Sequence, residues 1–269
     1  SDTNREIYDL VADIGDSWQL ILDKVNKTYT LYVISTAYDL GDTSAGTRGS
    51  FITKSTDGSR TVYTLTPTGG TGTGTELTTD SSTHSVAGNL TIGGKNATVS
   101  GTAYKATDLS QLAGLYNFVR SAHNARNGES PDTGFGQLRI SSDGKTGTAC
   151  LGGVWSGNTC SPVMSTVAAE SVMFNLGINA SGRINFNTAD GTASFGLANL
   201  LPSNLGKALV IDQYNTNQEG VKRTGTWYLS EAKSLSSGVF DGQWRCAGRG
   251  ADSNNITVTG ASVKAKNLS

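Results

Sequence analysis

Apolar and polar residues alternate in short runs along nearly the whole chain. Trp18-Gln19-Leu20-Ile21-Leu22, Tyr29-Thr30-Leu31-Tyr32-Val33-Ile34, Val62-Tyr63-Thr64-Leu65 and Arg183-Ile184-Asn185-Phe186 are such runs, and Gly, Asn-Gly-like and Asp-Gly turns cut between them. Period-two patterning punctuated this often predicts antiparallel sheet. Residues 49–54 and 60–66 flank Asp57-Gly58, residues 137–141 and 146–151 flank Asp143-Gly144, and residues 173–179 and 183–187 flank Ala180-Ser181-Gly182. Each reads as a hairpin.

Two segments depart from the pattern. Between Asn4 and Ile14, the residues Ile7, Leu10, Val11 and Ile14 recur at three- and four-residue spacing, which fits a short helix or an irregular entry strand. Residues 105–112 also have helical spacing, with Thr107 placed as N-cap and Asp108 in the first turn. That second segment joins two β-rich halves. The expectation is an all-β chain of two antiparallel domains: a meander over residues 1–104 and a second domain over residues 105–269. Seven to nine strands in the second half predict an eight-stranded up-and-down barrel, with a sandwich as the alternative.

Composition changes this picture little. The 269 residues include 34 Gly and only 4 Pro, so the punctuation is that of hairpins, not of a proline-rich linker. Charged residues are 16% of the chain, below the roughly 25% of average soluble domains. The net charge of −1 gives no reason to expect nucleic acid as a partner. No apolar run reaches the roughly 18 residues of a membrane-spanning helix. The two halves differ modestly: 7 basic and 11 acidic residues through Tyr104, then 14 basic and 11 acidic from Lys105 onward.

Three cysteines allow three single pairings. Proximity selects Cys150–Cys160, whose intervening segment contains Gly152, Gly153 and Gly157 and can double back. Cys246 is then left over. Three buried thiols in a reducing compartment is the competing reading.

Motifs for chemistry are scarce. His84 and His123 are the only histidines, and neither has a second ligand at metal spacing, so no metal is expected. The stretch Gly41-Asp42-Thr43-Ser44-Ala45-Gly46 lacks the frame of a nucleophile elbow. The glycines of residues 70–74 lack the Lys-Ser/Thr of a phosphate loop, and no cofactor is expected. Carboxylates that cleave glycosides are defined by separation in space, which sequence does not give. What remains is binding chemistry. An arginine on a strand facing into a barrel can clamp a carboxylate, and a Trp on a pinned glycine-rich loop makes a rigid anchor. Trp155, Arg120, Arg245 and Arg249 are the candidate binding residues on this basis, and Trp155 is expected to be substantially exposed.

The stretch Leu112-Ala113-Gly114-Leu115-Tyr116-Asn117-Phe118, with Gly136-Gln137-Leu138-Arg139-Ile140, Asp143-Gly144 and Cys150, resembles uncharacterised β-rich envelope proteins and lipoproteins of proteobacteria. Residues 89–101 are similar in style. The resemblance covers about half the chain, and its motifs are structural. It implies export and a β fold and supplies no active site. The opening Ser1-Asp2-Thr3-Asn4 reads as a mature start, which leads to the expectation of an export signal and a lipid anchor outside the given sequence. Together these readings predict a non-enzymatic exported protein of the cell envelope, periplasmic, surface-anchored or secreted, that binds a protein or glycan partner. The alternatives are a small-molecule carrier with its ligand in the C-terminal barrel and, further off, a carbohydrate-active enzyme. A cavity of roughly 300 Å³ or more in the second domain would favour the carrier.

Overall fold

The computed structural model describes residues 4–36, 46–69, 74–92, 95–124, 132–163, 165–203, 206–216, 220–234, 236, 238–239, 241–247, 253–259 and 262–267. The chain is all-β, and two closed antiparallel barrels of eight strands follow one another.

The first barrel runs β1 (Arg5–Ala12), β2 (Asp16–Asp23), β3 (Thr28–Ser35), β4 (Thr47–Asp57), β5 (Arg60–Pro67), β6 (Thr75–Asp80), β7 (Ser85–Ile92) and β8 (Lys95–Thr102), each pairing with the next. β1 also pairs with β8, Asp9 opposite Thr102 and Ala12 opposite Val99, so the predicted meander closes on itself. Closure leaves no edge strand to recruit another chain. The interior is filled by Leu10, Trp18, Leu20, Leu22, Leu31, Phe51, Tyr63, Leu65, Leu77, Leu90 and Val99.

β1 is a strand, not a helix, although its apolar spacing fits either. Tyr8, Leu10 and Ala12 face the barrel core, while Asp9 and Val11 are buried on the opposite face. A strand covered on both sides loses its alternation.

After Thr102 the chain makes a single 3₁₀ turn, Leu109–Leu112, where helical spacing is seen in the sequence. Its N-cap is Asp108, one residue later than predicted. The Asp108 carboxylate accepts from the Ser110 amide at 2.7 Å, and Gln111 reaches back to the Asp108 amide at 3.3 Å, a reciprocal cap that the Thr107 hydroxyl does not form.

The second barrel comprises β9 (Gly114–Asn124), β10 (Asp132–Ile140), β11 (Thr146–Leu151), β14 (Glu170–Ile178), β15 (Ile184–Thr188), β16 (Ser194–Ser203), β17 (Gly206–Thr216) and β18 (Lys222–Glu231). Between β11 and β14 the chain makes a separate hairpin of β12 (Gly153–Ser156) and β13 (Thr159–Pro162). The ring order is up-and-down, closed by β18 against β9 from Arg223 opposite Asn124 to Glu231 opposite Tyr116. Contacts within the chain group both barrels into one compact unit, Ser1–Glu231. Residues 232–269 form a second unit, a three-stranded sheet of β19 (Gly242–Ala247), β20 (Ser253–Thr259) and β21 (Ser262–Asn267). These last strands, counted toward the barrel from sequence, take no part in its ring.

Within the first unit the barrels meet through polar groups. Arg183, at the start of β15's hairpin, donates to Asp9 Oδ1 at 3.1 Å and to the Trp18 carbonyl at 2.6 Å. Lys105 also pairs with Asp9, and Asn199 donates to the Asp9 carbonyl at 3.0 Å. Asp9 and Arg183 are each 2% exposed, so this is a buried ion pair whose desolvation is offset by several hydrogen bonds. Gly15 is required here. It has φ +85°, and a Cβ on it would fall 1.3 Å from Thr224 Oγ1, whose hydroxyl donates to the Gly15 carbonyl.

Candidate functional site

A concave feature lies at one end of the second barrel. It is a cleft of about 710 Å³, formed where β9 and β17 end, β10, β14 and β18 begin, and β15 meets β16. Period-two alternation points Phe118 and Arg120 of β9 and Arg223, Gly225 and Trp227 of β18 toward the inside of the ring.

The inner wall is aromatic. Phe186, Phe174, Phe195, Trp227 and Phe118 form a chain of ring contacts at centroid separations of 5.8, 4.8, 5.5 and 4.7 Å. Edge and tilted packings of this kind add stabilisation beyond area burial. The Trp227 indole N–H donates to Gln213 Oε1 at 2.8 Å, which fixes the ring and satisfies its polar edge. Nearer the opening, Leu151, Val172 and Phe195 are half-buried. The apolar surface therefore continues from the core out to solvent.

The rim is charged. Arg120 sits with its guanidinium 5.7 Å from the centre of the Trp227 ring. Arg120 Nη1 lies 3.1 Å and Arg223 Nη2 3.7 Å from the same oxygen, Asp132 Oδ2. Arg223 also donates to Asn124 Oδ1 at 3.4 Å. The two guanidiniums are largely sheltered, whereas Asp132 is 56% exposed. Gly134 makes room for this arrangement: a Cβ there would lie 2.8 Å from Arg120 Nε. Glu170 adds a second exposed carboxylate at the rim.

The sequence candidates separate in space. Arg120 lines the cleft; Trp155 does not. Trp155 lies on β12, half-buried rather than exposed, with the Arg139 guanidinium 4.6 Å above its ring. Arg139 is itself held by Asn158 Oδ1 at 3.2 Å and the Gly157 carbonyl at 2.5 Å, and Gln137 accepts from the Trp155 amide at 2.8 Å. The glycine-rich tip that seemed to leave Trp155 bare instead supplies the carbonyl that anchors its cover. Its indole Nε1 is buried without a hydrogen-bond partner among the described residues. Cys150 and Cys160 are disulfide-bonded, with Cα atoms 5.3 Å apart. Arg245 is on β19, but its side chain and the whole of Arg249 lie outside the described residues, as does the Cys246 side chain. Among the described residues, no three His, Cys, Asp or Glu side chains group as they would to hold a metal ion. No helix among them is long and apolar enough to cross a membrane.

Arg223, Asp132, Phe174 and Phe195 were not singled out from sequence. For Arg223 a signal exists: Arg223, Gly225 and Trp227 share a face at period two, so an arginine stands two residues on either side of the glycine from a core tryptophan. Asp132 has no such signal, because only the β9–β10 pairing, Asp132 opposite Ala122, carries it to Arg120.

A second pocket, of about 500 Å³, involves Ser35, Ser194, Asp212, Tyr214 and Lys222. Asp212 is almost wholly buried, and its Oδ2 accepts from the Ser17 hydroxyl at 2.5 Å. Burial pushes its carboxyl up to about 7; the Ser17 bond and the Arg183 charge oppose the shift, and the Asp16 charge adds to it. Its Oδ1, like Thr226 Oγ1 directly across on β18, has no hydrogen-bond partner among the described residues.

No family model matches the chain, and no curated protein matches it. A solved structure similar to it is a protein of unknown function from the DUF3598 family of Nostoc punctiforme, at 10% identity over 85% of this chain and 94% of that one, with a TM-score of 0.28. A likeness that loose carries no argument about function.

Proposed function

We propose that the protein is a small-molecule carrier whose ligand enters the open end of the second barrel. The observation that carries this reading is the cleft of about 710 Å³ whose wall runs from buried Trp227 to half-buried Phe195 and Val172. Its volume lies within the roughly 300–1,000 Å³ of small-molecule sites, and its lining joins an apolar, aromatic wall to convergent polar groups. The carrier takes precedence over a protein- or glycan-binding role because Trp155, the anchor that role relied on, is covered by Arg139. The Cys150–Cys160 bond supports an exported setting, since such bonds persist in oxidising compartments.

An uncharged environment-sensitive fluorophore, N-phenyl-1-naphthylamine, tests the reading. Its emission is expected to rise saturably with wild-type protein and to stay flat with Val172→Trp, which fills the cleft from a half-buried position. A flat wild-type titration contradicts the carrier role.

A further inference from the structure

We infer that the ligand is an anionic amphiphile, with a carboxylate or sulfate head group on an apolar tail, and that Asp132 competes with that head group for Arg120 and Arg223. The inference rests on the carrier reading and adds the chemistry of what is carried.

Two guanidiniums facing one carboxylate oxygen are the starting point. Arg120 and Arg223 come from sequence positions 103 residues apart, and closure of β18 on β9 lets both side chains reach Asp132 at the rim. Guanidinium forks recognise planar oxyanions by paired hydrogen bonds, which a single shared oxygen does not use fully. Both arginines are held in place by neutral groups as well: Arg120 over the Trp227 ring, Arg223 by Asn124. They therefore keep their positions when Asp132 swings away. Asp132 stands at the start of β10 and is more than half exposed, so releasing it to water costs little.

The apolar wall begins where the arginines end. Trp227 lies beneath Arg120, its ring meets Phe195 toward the opening, and Phe195 meets Phe174. A ligand that satisfies both parts has its charge at the rim and its tail along the rings. A cation is disfavoured at the same point by two sheltered positive charges. The remaining charged group lining the cleft among the described residues, Glu170, is exposed on β14 and well screened.

Calorimetric titration with decanoate, decyl sulfate, decanol and decyltrimethylammonium, each below its micellar concentration, tests the inference. Decanoate and decyl sulfate are expected to bind at least tenfold more tightly than decanol, and the ammonium most weakly. Arg120→Gln and Arg223→Gln are each expected to weaken decanoate and decyl sulfate binding at least fivefold more than decanol binding. Asp132→Asn, a change at an exposed position, is expected to tighten anion binding several-fold. Equal affinity for decanol and decanoate, or a preference for the ammonium, overturns the anionic assignment and leaves the carrier reading standing. Weaker anion binding in Asp132→Asn overturns the competition. Absence of binding by all four probes and by the neutral fluorophore overturns both readings.

Discussion

The two barrels have the same strand number and the same up-and-down order, yet they are finished differently. The first is filled to the point that Leu20, Leu65, Leu77 and Val99 are wholly buried. The second keeps a comparable core at Leu138, Ile140, Phe186 and Leu209 but, among the described residues, has a cleft at one end, where Phe195 and Val172 are half-buried. Small closed barrels fill their interior with side chains or hold a ligand there. On the proposed carrier role one chain uses both solutions, and substitutions inside the first barrel should cost stability while those at the mouth of the second should cost binding.

The largest effect is expected where the barrels are joined. Asp9→Ala leaves Arg183 buried without its carboxylate, and breaking a buried pair in this way costs about 3–5 kcal/mol. Urea denaturation checks it. A loss below about 1 kcal/mol would show that the barrels do not depend on the junction.

Next comes the filled barrel. Leu77→Ala opens a cavity among fully buried neighbours and is expected to cost about 3 kcal/mol. Ligand affinity should stay at the wild-type value, because Leu77 belongs to the other core. A parallel loss of affinity would break the division of roles.

The junction also predicts a pH dependence with two signs. Asp212 titrates near 7 when folded and near 4 when unfolded, so the folded state holds its proton more tightly. Its contribution is complete below about pH 4 and is lost as pH rises through 7. Asp9 runs the other way. Burial alone would raise its carboxyl, but the Arg183 charge and the Lys105 and Gln19 hydrogen bonds outweigh that and hold it below the ordinary value. Its contribution is present above about pH 4 and is lost on acidification below that. The stability of Asp212→Asn relative to wild type is therefore expected to rise by about 2 kcal/mol between pH 5 and pH 8. A flat difference over that range would show that Asp212 is ionised in the folded protein.

The smallest stability effect is expected at the mouth. Phe195→Ala removes a half-buried ring and should cost about 1 kcal/mol, well short of a core phenylalanine, while weakening the binding of apolar probes several-fold. A core-sized loss would mean that Phe195 belongs to the structural interior.

Much of the fold is legible in the sequence because its hairpins are local. Asp57-Gly58 and Asp143-Gly144 each sit in turns between strands that pair as adjacent partners. Where the reading was ambiguous, the cause is long-range. β1 lost its alternation because residues from the second barrel cover Asp9. The closing of the first half into a ring depends on β1 meeting β8, about 90 residues away, which no local pattern announces. The site was half visible. Arg120 shows itself as an arginine on a strand, but its partners Asp132 and Arg223 reach it only through barrel closure. Trp155 was misjudged because its cover, Arg139, lies on β10, outside the loop that seemed to expose it.

The most direct test of the contrast uses one indole from each barrel. Trp18 in the first is bonded through Nε1 to Asp16, and Trp227 in the second to Gln213. With the indole signals assigned by single Trp→Phe variants in ¹H–¹⁵N spectra, decanoate is titrated into the whole protein. The account predicts a saturable shift of the Trp227 indole signal and a stationary Trp18 signal. A stationary Trp227 signal under saturating decanoate, or equal movement of both, would contradict it.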